Sequence, residues 1–255
     1  MPVIDLPTGA HLDYVDTGGA GRVILLIHGL LGTGHREFPE LVDWLRPHAR
    51  VIAPTLRGYG ESMPKPREFP PDFYQRDADD MLALLDALDI DRAHLMGYSD
   101  GGETALCAAA TAPDRFLSVV VWGAMGYFGP LVRPGAQRMF PATWITPEEI
   151  ALHHIVHPDT FILGWIKAVH RMVDTGGDIC LSRADRITPP LLMLLGEQDR
   201  LNPAEYAQQV VDKTPAGRLV LLPCGHAVHR EVWPQFQQVV GTFLRDAGLA
   251  IPISG

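Results

Sequence analysis

The sequence predicts an α/β fold in which a mostly parallel, doubly wound sheet carries an inserted helical cap. Short apolar runs recur along the chain without alternating polar and apolar residues, so both faces of each strand are expected to be covered, as in a parallel sheet. Helical patterns lie between these runs, and strands alternating with helices are typical of doubly wound folds. One long interval near the middle of the chain breaks this alternation.

The predicted elements follow in chain order. Val3–Leu6 and His11–Val15, around a Thr8-Gly9 turn, predict an antiparallel hairpin at the sheet edge. Six apolar runs predict the remaining strands, and four stretches predict core helices. The strand runs are Val23–Ile27, Val51–Ala53, Ala93–Met96, Ser118–Trp122, Leu191–Leu195 and Leu219–Leu222. The helical stretches are Phe73–Leu88, Glu103–Ala110, Pro203 to about Val211, and Pro234–Leu244.

The interval between Ala124 and Asp185 is predicted to be the cap. It is rich in Gly and Pro, and two helical patterns follow, near Pro147–Val156 and Asp159–Val173. An elongated crossover is the alternative, but the length and the aromatic residues favour a cap over a pocket. We therefore predict a core of residues 1–124 and 186–255 and a cap of residues 125–185. The expected substrate-binding residues in this segment are Met125, Tyr127, Trp144 and Trp165.

Composition limits the partners. The chain has 255 residues, enough for one α/β domain, and its formal charge is −9, with no basic cluster. This argues against nucleic acid and against anionic membranes. Isolated cysteines and an N-terminus without a signal-peptide pattern favour a cytoplasmic protein. We expect no cofactor or metal, a small-molecule substrate, and a monomer or small homo-oligomer.

Gly97-Tyr98-Ser99-Asp100-Gly101 is the most informative motif. It stands between a predicted strand and a predicted helix, where Gly-x-Ser-x-Gly forms the nucleophile elbow of α/β-hydrolases. The glycines are needed because the turn leaves no room for side chains. The alternative is a plain turn in which Ser99 caps the helix.

A serine nucleophile needs a base, and the base needs an orienting acid. The expected chain order is serine, acid, histidine. Asp199 follows a predicted strand and is the preferred acid over Glu197, although it is also a candidate cap for the helix near Pro203. His226 follows the last predicted strand, and we prefer it to His229 because Gly225 allows close approach of the chain.

The oxyanion hole is predicted in His28-Gly29-Leu30-Leu31-Gly32, which follows the strand Val23–Ile27. The expected donors are the backbone N–H groups of Leu30 and Asp100, each contributing roughly 3 kcal/mol in the transition state. Gly29 is expected to border the substrate.

Asp100 has two interpretations. It is either a carboxylate stabilised by the helix N-terminus, or a partner for the ammonium of an α-amino acid ester, which lies one carbon from the attacked carbonyl. A charge-assisted hydrogen bond of this kind contributes about 1.5–3 kcal/mol. His153-His154-Ile155-Val156-His157 lacks a metal-site pattern and is expected to be cap surface or packing, with zinc a remote option.

The chain resembles the α/β-hydrolase superfamily and, within it, the biphenyl hydrolase-like (valacyclovir hydrolase-like) serine esterases. The resemblance covers nearly the whole chain and depends most on the Ser-Asp-Gly-Gly element that begins at Ser99; the cap is the least similar part. The other stretches are Arg57–Ser62, Arg67–Phe73, Val121–Ala124, Gly177–Cys180 and Gly225–His229. The resemblance implies an α/β-hydrolase fold, a triad of Ser99, Asp199 and His226, and an Asp100 that selects the substrate's amino group.

Together these observations predict a serine esterase that prefers small α-amino acid esters. One rival is a carbon–carbon bond hydrolase of ring-cleavage diketones, which uses the same triad on anionic substrates that Asp100 would repel. The other is a ligand receptor that kept the fold without turnover.

Overall fold

A computed structural model describes residues 2–251. Its strands are β1 (Val3–Asp5), β2 (His11–Asp16), β3 (Val23–Ile27), β4 (Arg50–Pro54), β5 (Ala93–Tyr98), β6 (Phe116–Trp122), β7 (Leu191–Gly196) and β8 (Gly217–Leu222). They form an eight-stranded sheet in the order β1-β2-β4-β3-β5-β6-β7-β8. β2 is antiparallel to both β1 and β4, and the other adjacent pairs are parallel. The predicted parallel sheet and its antiparallel edge hairpin are confirmed.

The helices connect the strands. They are α1 (Pro39–Leu45), α2 (Phe73–Ala87), α3 (Asp100–Thr111), α4 (Val132–Gln137), α5 (Pro147–Leu152), α6 (Pro158–Asp174), α7 (Ala204–Lys213), α8 (Val228–Glu231) and α9 (Trp233–Asp246). α4 was not predicted because it contains Pro134 and Gly135, two residues that disfavour helix. Pro134 is tolerated because it lies in the first turn, where backbone N–H groups have no partner within the helix.

The core lies on both faces of the sheet. Along β3, Leu25 and Ile27 pack on one side with residues of α2 and α3, whereas Ile24 and Leu26 pack on the other side with residues of α1 and α9. β3 and β7, which are buried along their whole length, therefore place successive side chains on opposite covered faces, which explains why their sequences are apolar throughout. β1 and β8 keep exposed residues.

The cap segment lies between β6 and β7. It contains α4, α5 and α6, of which α4 packs against α6. The exact division into core and cap stays a prediction. Within residues 2–251, none of the helices combines the length and the apolar character that crossing a bilayer requires.

Candidate active site

Ser99 lies on a strained turn between β5 and α3. Its backbone angles are φ 53° and ψ −123°, a conformation that L-residues rarely adopt. A Cβ on Gly97 would come within 2.3 Å of the Gly101 carbonyl oxygen, and a Cβ on Gly101 within 2.3 Å of the His28 carbonyl oxygen. Both glycines are therefore required. Ser99 precedes the helix, but its side chain makes no capping hydrogen bond, so the simple capping interpretation is not supported.

The hydroxyl of Ser99 instead meets His226. His226 Nε2 lies 3.0 Å from Ser99 Oγ, and His226 Nδ1 lies 2.8 Å from Asp199 Oδ2. Asp199 follows β7 and His226 follows β8, so all three residues meet at the carboxyl ends of the strands, where ligands collect in open α/β sheets. The structure brings together the serine, acid and histidine that the sequence singled out.

Asp199 is held as a carboxylate. Its side chain is fully buried, and it accepts hydrogen bonds from the Leu201 N–H at 2.8 Å and from Asn202 Nδ2 at 2.9 Å. Burial by itself would raise the pKa of Asp199, but the hydrogen bonds, above all the one with His226, hold that pKa below its ordinary value. The following helix begins at Ala204 with Pro203 as its cap, so Asp199 is not the cap residue.

The alternative acid and base lie elsewhere. Glu197 is exposed. His229 is buried and accepts a hydrogen bond on Nδ1 from the indole N–H of Trp122 at 2.9 Å. Burial lowers the pKa of His229 to about 3, which makes this ring too weak a base for a serine hydroxyl at neutral pH.

The predicted oxyanion loop is held by His28. The Leu56 N–H donates to His28 Nε2 at 2.9 Å, so Nδ1 carries the hydrogen and donates to the Gly29 carbonyl at 2.7 Å. Because the peptide is planar and trans, anchoring the Gly29 carbonyl fixes the Leu30 N–H on the opposite side. Among the described residues, neither the Leu30 N–H nor the Asp100 N–H has an acceptor, so both remain free to bind an oxyanion.

The Asp100 carboxylate faces the same cavity as Ser99. Tyr74 donates its hydroxyl to Asp100 Oδ1 at 2.7 Å, and Trp165 donates its indole N–H to Oδ2 at 3.0 Å. Burial raises the pKa of Asp100 to about 6, although the Tyr74 hydrogen bond and the charge of Arg67 oppose the shift. Both direct side-chain partners are neutral, so the carboxylate makes no ion pair of its own among the described residues.

Glu103 adds a second carboxylate to this cavity, one helical turn beyond Asp100. It is buried and accepts the N–H groups of Met125 at 2.7 Å and Gly126 at 2.9 Å. Burial raises the pKa of Glu103 to about 7. Its spacing of three residues from Asp100 places it on the same helix face, a signal that the sequence analysis did not use.

The cavity beside Ser99 is narrow, with about 30 Å³ of space for the centre of a water-sized molecule. Among the predicted substrate-binding residues, Asp100, Met125 and Trp165 line it, and Gly29 approaches Ser99 from the side, because a Cβ there would lie 3.0 Å from Ser99 Cβ.

Two further predicted positions lie away from this lining. Tyr127 packs edge-on against Tyr206, and Trp144 is 41% exposed and donates its indole N–H to the Met139 carbonyl. Neither residue lines the cavity: Tyr127 lies before α4, where its backbone bridges to Asp178, and Trp144 lies in the irregular segment between α4 and α5. Lining residues that the sequence did not indicate are Tyr74, Glu103, Phe128, Val132, Val169, Leu201 and Asn202.

The histidine cluster packs rather than converging on a point. His153 is buried, accepts the Gly60 N–H on Nδ1 at 3.0 Å and lies 2.9 Å from the Leu31 carbonyl through Nε2. Across residues 2–251, no group of three or more His, Cys, Asp and Glu side chains is arranged to hold a metal ion.

Comparison with known proteins agrees with this geometry. A family model described as the alpha/beta hydrolase fold matches residues 22–149. The chain belongs to the α/β-hydrolase family. The chain is 32% identical to serine hydrolase BPHL from Homo sapiens over 246 residues, which cover 93% of this chain and 84% of the relative.

Two other comparisons show how widely the fold is shared. The α/β-hydrolase chain is 29% identical to 2-hydroxymuconate semialdehyde hydrolase from Pseudomonas sp. (strain CF600), with 91% of this chain and 90% of that protein covered. The structure of a hydrolase from Pseudomonas aeruginosa PA01 superposes with a TM-score of 0.77 at 24% identity, covering 95% of this chain and 97% of that one. The family and its serine hydrolase relatives identify the chain as a serine hydrolase of the α/β type.

Proposed function

We propose that this α/β-hydrolase cleaves carboxylic esters through an acyl-enzyme and prefers small α-amino acid esters. The observation that carries the preference is the Asp100 carboxylate, which lines the cavity beside Ser99 and has neutral partners only. A buried carboxylate without a counter-charge is unfavourable, and a substrate ammonium supplies that charge.

The reaction follows from the distances around His226. As Ser99 Oγ bonds to the ester carbonyl carbon, its proton moves to His226 Nε2, 3.0 Å away, and Asp199 stabilises the resulting imidazolium. The oxyanion binds the N–H groups of Leu30 and Asp100. His226 then gives its proton to the leaving alcohol oxygen, and water is activated in the same way to release the acid.

A paired substrate panel tests this proposal. Alanine benzyl ester carries the ammonium, benzyl propionate lacks it, and N-acetylalanine benzyl ester replaces it with a neutral amide. We expect kcat/KM for alanine benzyl ester to exceed both others. Asp100→Asn keeps the backbone N–H and the side-chain shape. It should lower the ratio of kcat/KM for alanine benzyl ester to kcat/KM for benzyl propionate by about ten- to a hundred-fold.

Two controls separate the effect of Asp100 from background hydrolysis and from a general effect of removing a charge. Ser99→Ala measures the background rate. Asp72→Asn removes the same charge from an exposed carboxylate that pairs with Arg76, and it should leave the ratio unchanged. Equal ratios for the wild type and Asp100→Asn would refute the amino-ester preference and leave a general esterase.

The similarity to 2-hydroxymuconate semialdehyde hydrolase supports one second candidate, a carbon–carbon bond hydrolase. The buried carboxylate of Asp100 disfavours it because the substrates of such enzymes are anionic. Turnover of a vinylogous diketo acid, without turnover of any ester in the panel, would reverse this order.

A further inference from the structure

Asn202 is the residue on which the acid and base of the site converge. Its Nδ2 atom lies 2.9 Å from Asp199 Oδ2, 2.9 Å from the Gly123 carbonyl oxygen and 3.0 Å from His226 Nδ1. The residue is only 8% exposed. This side chain therefore joins the loop after β7 to the end of β6 and borders the imidazole.

The neighbours determine which way the carboxamide is turned. The Gly123 carbonyl and Asp199 Oδ2 are both acceptors, so the amide NH₂ must face them, and they use its two hydrogens. His226 Nδ1 carries its hydrogen toward Asp199 when the ring accepts a proton from Ser99 on Nε2. The close approach of Asn202 Nδ2 to His226 Nδ1 therefore places two donors around one carboxylate oxygen.

We propose that Asn202 is a positioning residue that tunes the acid–base pair by sharing Asp199 Oδ2 with His226. The inference rests on the proposed use of Ser99, His226 and Asp199 as a triad. Asn202 exchanges no proton: the proton passes from Ser99 Oγ to His226 Nε2 and then to the leaving oxygen, while Asp199 stays ionised.

The direction of the effect follows from electrostatics. A carboxylate oxygen that accepts two hydrogen bonds holds each donor less strongly than one that accepts a single bond. Without the Asn202 donor, Asp199 would stabilise the protonated ring more, and activity would need a higher pH. Substituting Asn202 leaves the other groups around the His226 ring unchanged. They are the Ser99 hydroxyl, the Tyr98 ring with its centroid 5.3 Å away, and the nearby charges of Glu37 and Arg230.

The test measures two pH profiles for wild type and Asn202→Val. One is the second-order rate of inactivation by a fluorophosphonate, which needs only a reactive serine, and the other is kcat/KM for p-nitrophenyl acetate. We expect the acid limb of both profiles to move upward by roughly 0.5 to 1 pH unit, about half of what a whole hydrogen bond to a charged group is worth, because Asn202 only weakens the bond between Asp199 and His226. Asn202→Asp keeps the side-chain shape but adds a negative charge beside the imidazole of His226. It should move the acid limb further upward than Asn202→Val does.

The matched control is Glu197→Gln, because Glu197 lies on the same loop but is exposed. The acid limb of this variant should coincide with that of wild type. A folded fraction that is constant over the pH range scales the curve without moving its midpoint, so each profile is measured where the variant's circular dichroism does not change with pH. Unshifted limbs in both Asn202 variants would overturn the proposal and leave a purely structural role. A shift with the ester alone would also overturn it, in favour of a substrate contact.

The experiment also separates this proposal from the esterase proposal. If wild type reacts with the fluorophosphonate, Ser99→Ala does not, and no ester is hydrolysed, the esterase proposal fails. The fluorophosphonate profiles of the Asn202 variants still decide the role of Asn202 in that case.

Discussion

At the scale of single residues, the proposed function gives Asp100 two roles in one position. Its backbone N–H is free for the oxyanion, and its carboxylate lies in the cavity with Tyr74 and Trp165 as donors. The carbonyl and the ammonium of an α-amino ester are separated by one carbon, so a single residue beside the nucleophile can contact both.

The preference for an ammonium substrate should depend on pH through Asp100. Burial raises the pKa of Asp100 to about 6, so its carboxylate is charged above that pH and neutral below it. The substrate ammonium stays charged from pH 7 to 5 because α-amino groups titrate near 8. We expect the kcat/KM ratio of alanine benzyl ester to benzyl propionate to fall by up to about tenfold over this range.

Taking the ratio of two substrates cancels pH effects on the bond-breaking steps, which both substrates share. Asp100→Asn is the control: it has no titrating group at this position, so a pH dependence that remains in its ratio is attributed to Glu103, whose pKa burial raises to about 7. A wild-type ratio that falls no more steeply than that of Asp100→Asn from pH 7 to 5 would show that Asp100 does not bind the ammonium.

Sequence reasoning found the residues that a local motif or the chain order marks. Ser99 lies in a recognisable turn, and Asp199 and His226 follow predicted strands. Tyr74 and Asn202 were missed for a physical reason. Tyr74 stands 26 positions from Asp100, and Asn202 reaches the Gly123 carbonyl across 79 positions, so both contacts exist only after the sheet has formed.

At the scale of elements, the ends of β6 and β8 determine how closely His226 approaches Ser99. Gly123 follows β6 with φ +63°, and a Cβ there would lie 2.9 Å from His226 Cε1. Residue 123 must therefore have no side chain if the imidazole of His226 is to occupy its position. The sequence showed where β6 ends, but not that another loop would pack against that point.

Gly123→Ala should displace the imidazole and lower kcat/KM by about a hundredfold, since a shift of 1 Å in a catalytic group has an effect of that order. Hydrolysis of p-nitrophenyl acetate measures this loss. Gly18→Ala is the matched control, because Gly18 has a similar φ of +69° but no atom within 4 Å of the added Cβ. Gly18→Ala should strain the backbone to a similar degree and keep its activity. Equal losses of kcat/KM in both variants would indicate that backbone strain, rather than displacement of His226, causes the loss.

At the scale of the whole molecule, a buried ion pair links the core to the site. Arg67 precedes α2 and pairs with Asp77 within it, with an Nη1–Oδ1 distance of 2.8 Å and side chains that are 2% and 1% exposed. The guanidinium also lies over the rings of Tyr59, Phe69 and Phe73 at 5.1 to 5.4 Å. α2 carries Tyr74, so this pair fixes the helix that presents a donor to Asp100.

Arg67→Ala should lower the free energy of unfolding by about 3–5 kcal/mol, because it leaves the buried Asp77 carboxylate without its hydrogen-bonded cation. Arg76→Ala is the matched comparison: Arg76 also pairs with an aspartate, Asp72, but the side chains are 50% and 58% exposed, and the expected loss is at most about 1 kcal/mol. Urea unfolding of both variants measures the difference, and similar small losses would show that the buried pair is dispensable.

The same variant has an effect at the site. The charge of Arg67 holds down the pKa of Asp100, against the dominant effect of burial that raises it. Removing that charge should raise this pKa further, so the ammonium preference of Arg67→Ala should be lost at a higher pH than in wild type. The kcat/KM ratio of alanine benzyl ester to benzyl propionate, measured on the folded fraction as a function of pH, gives the midpoint at which the preference is lost. An unmoved midpoint together with a large loss of stability would limit Arg67 to supporting the fold.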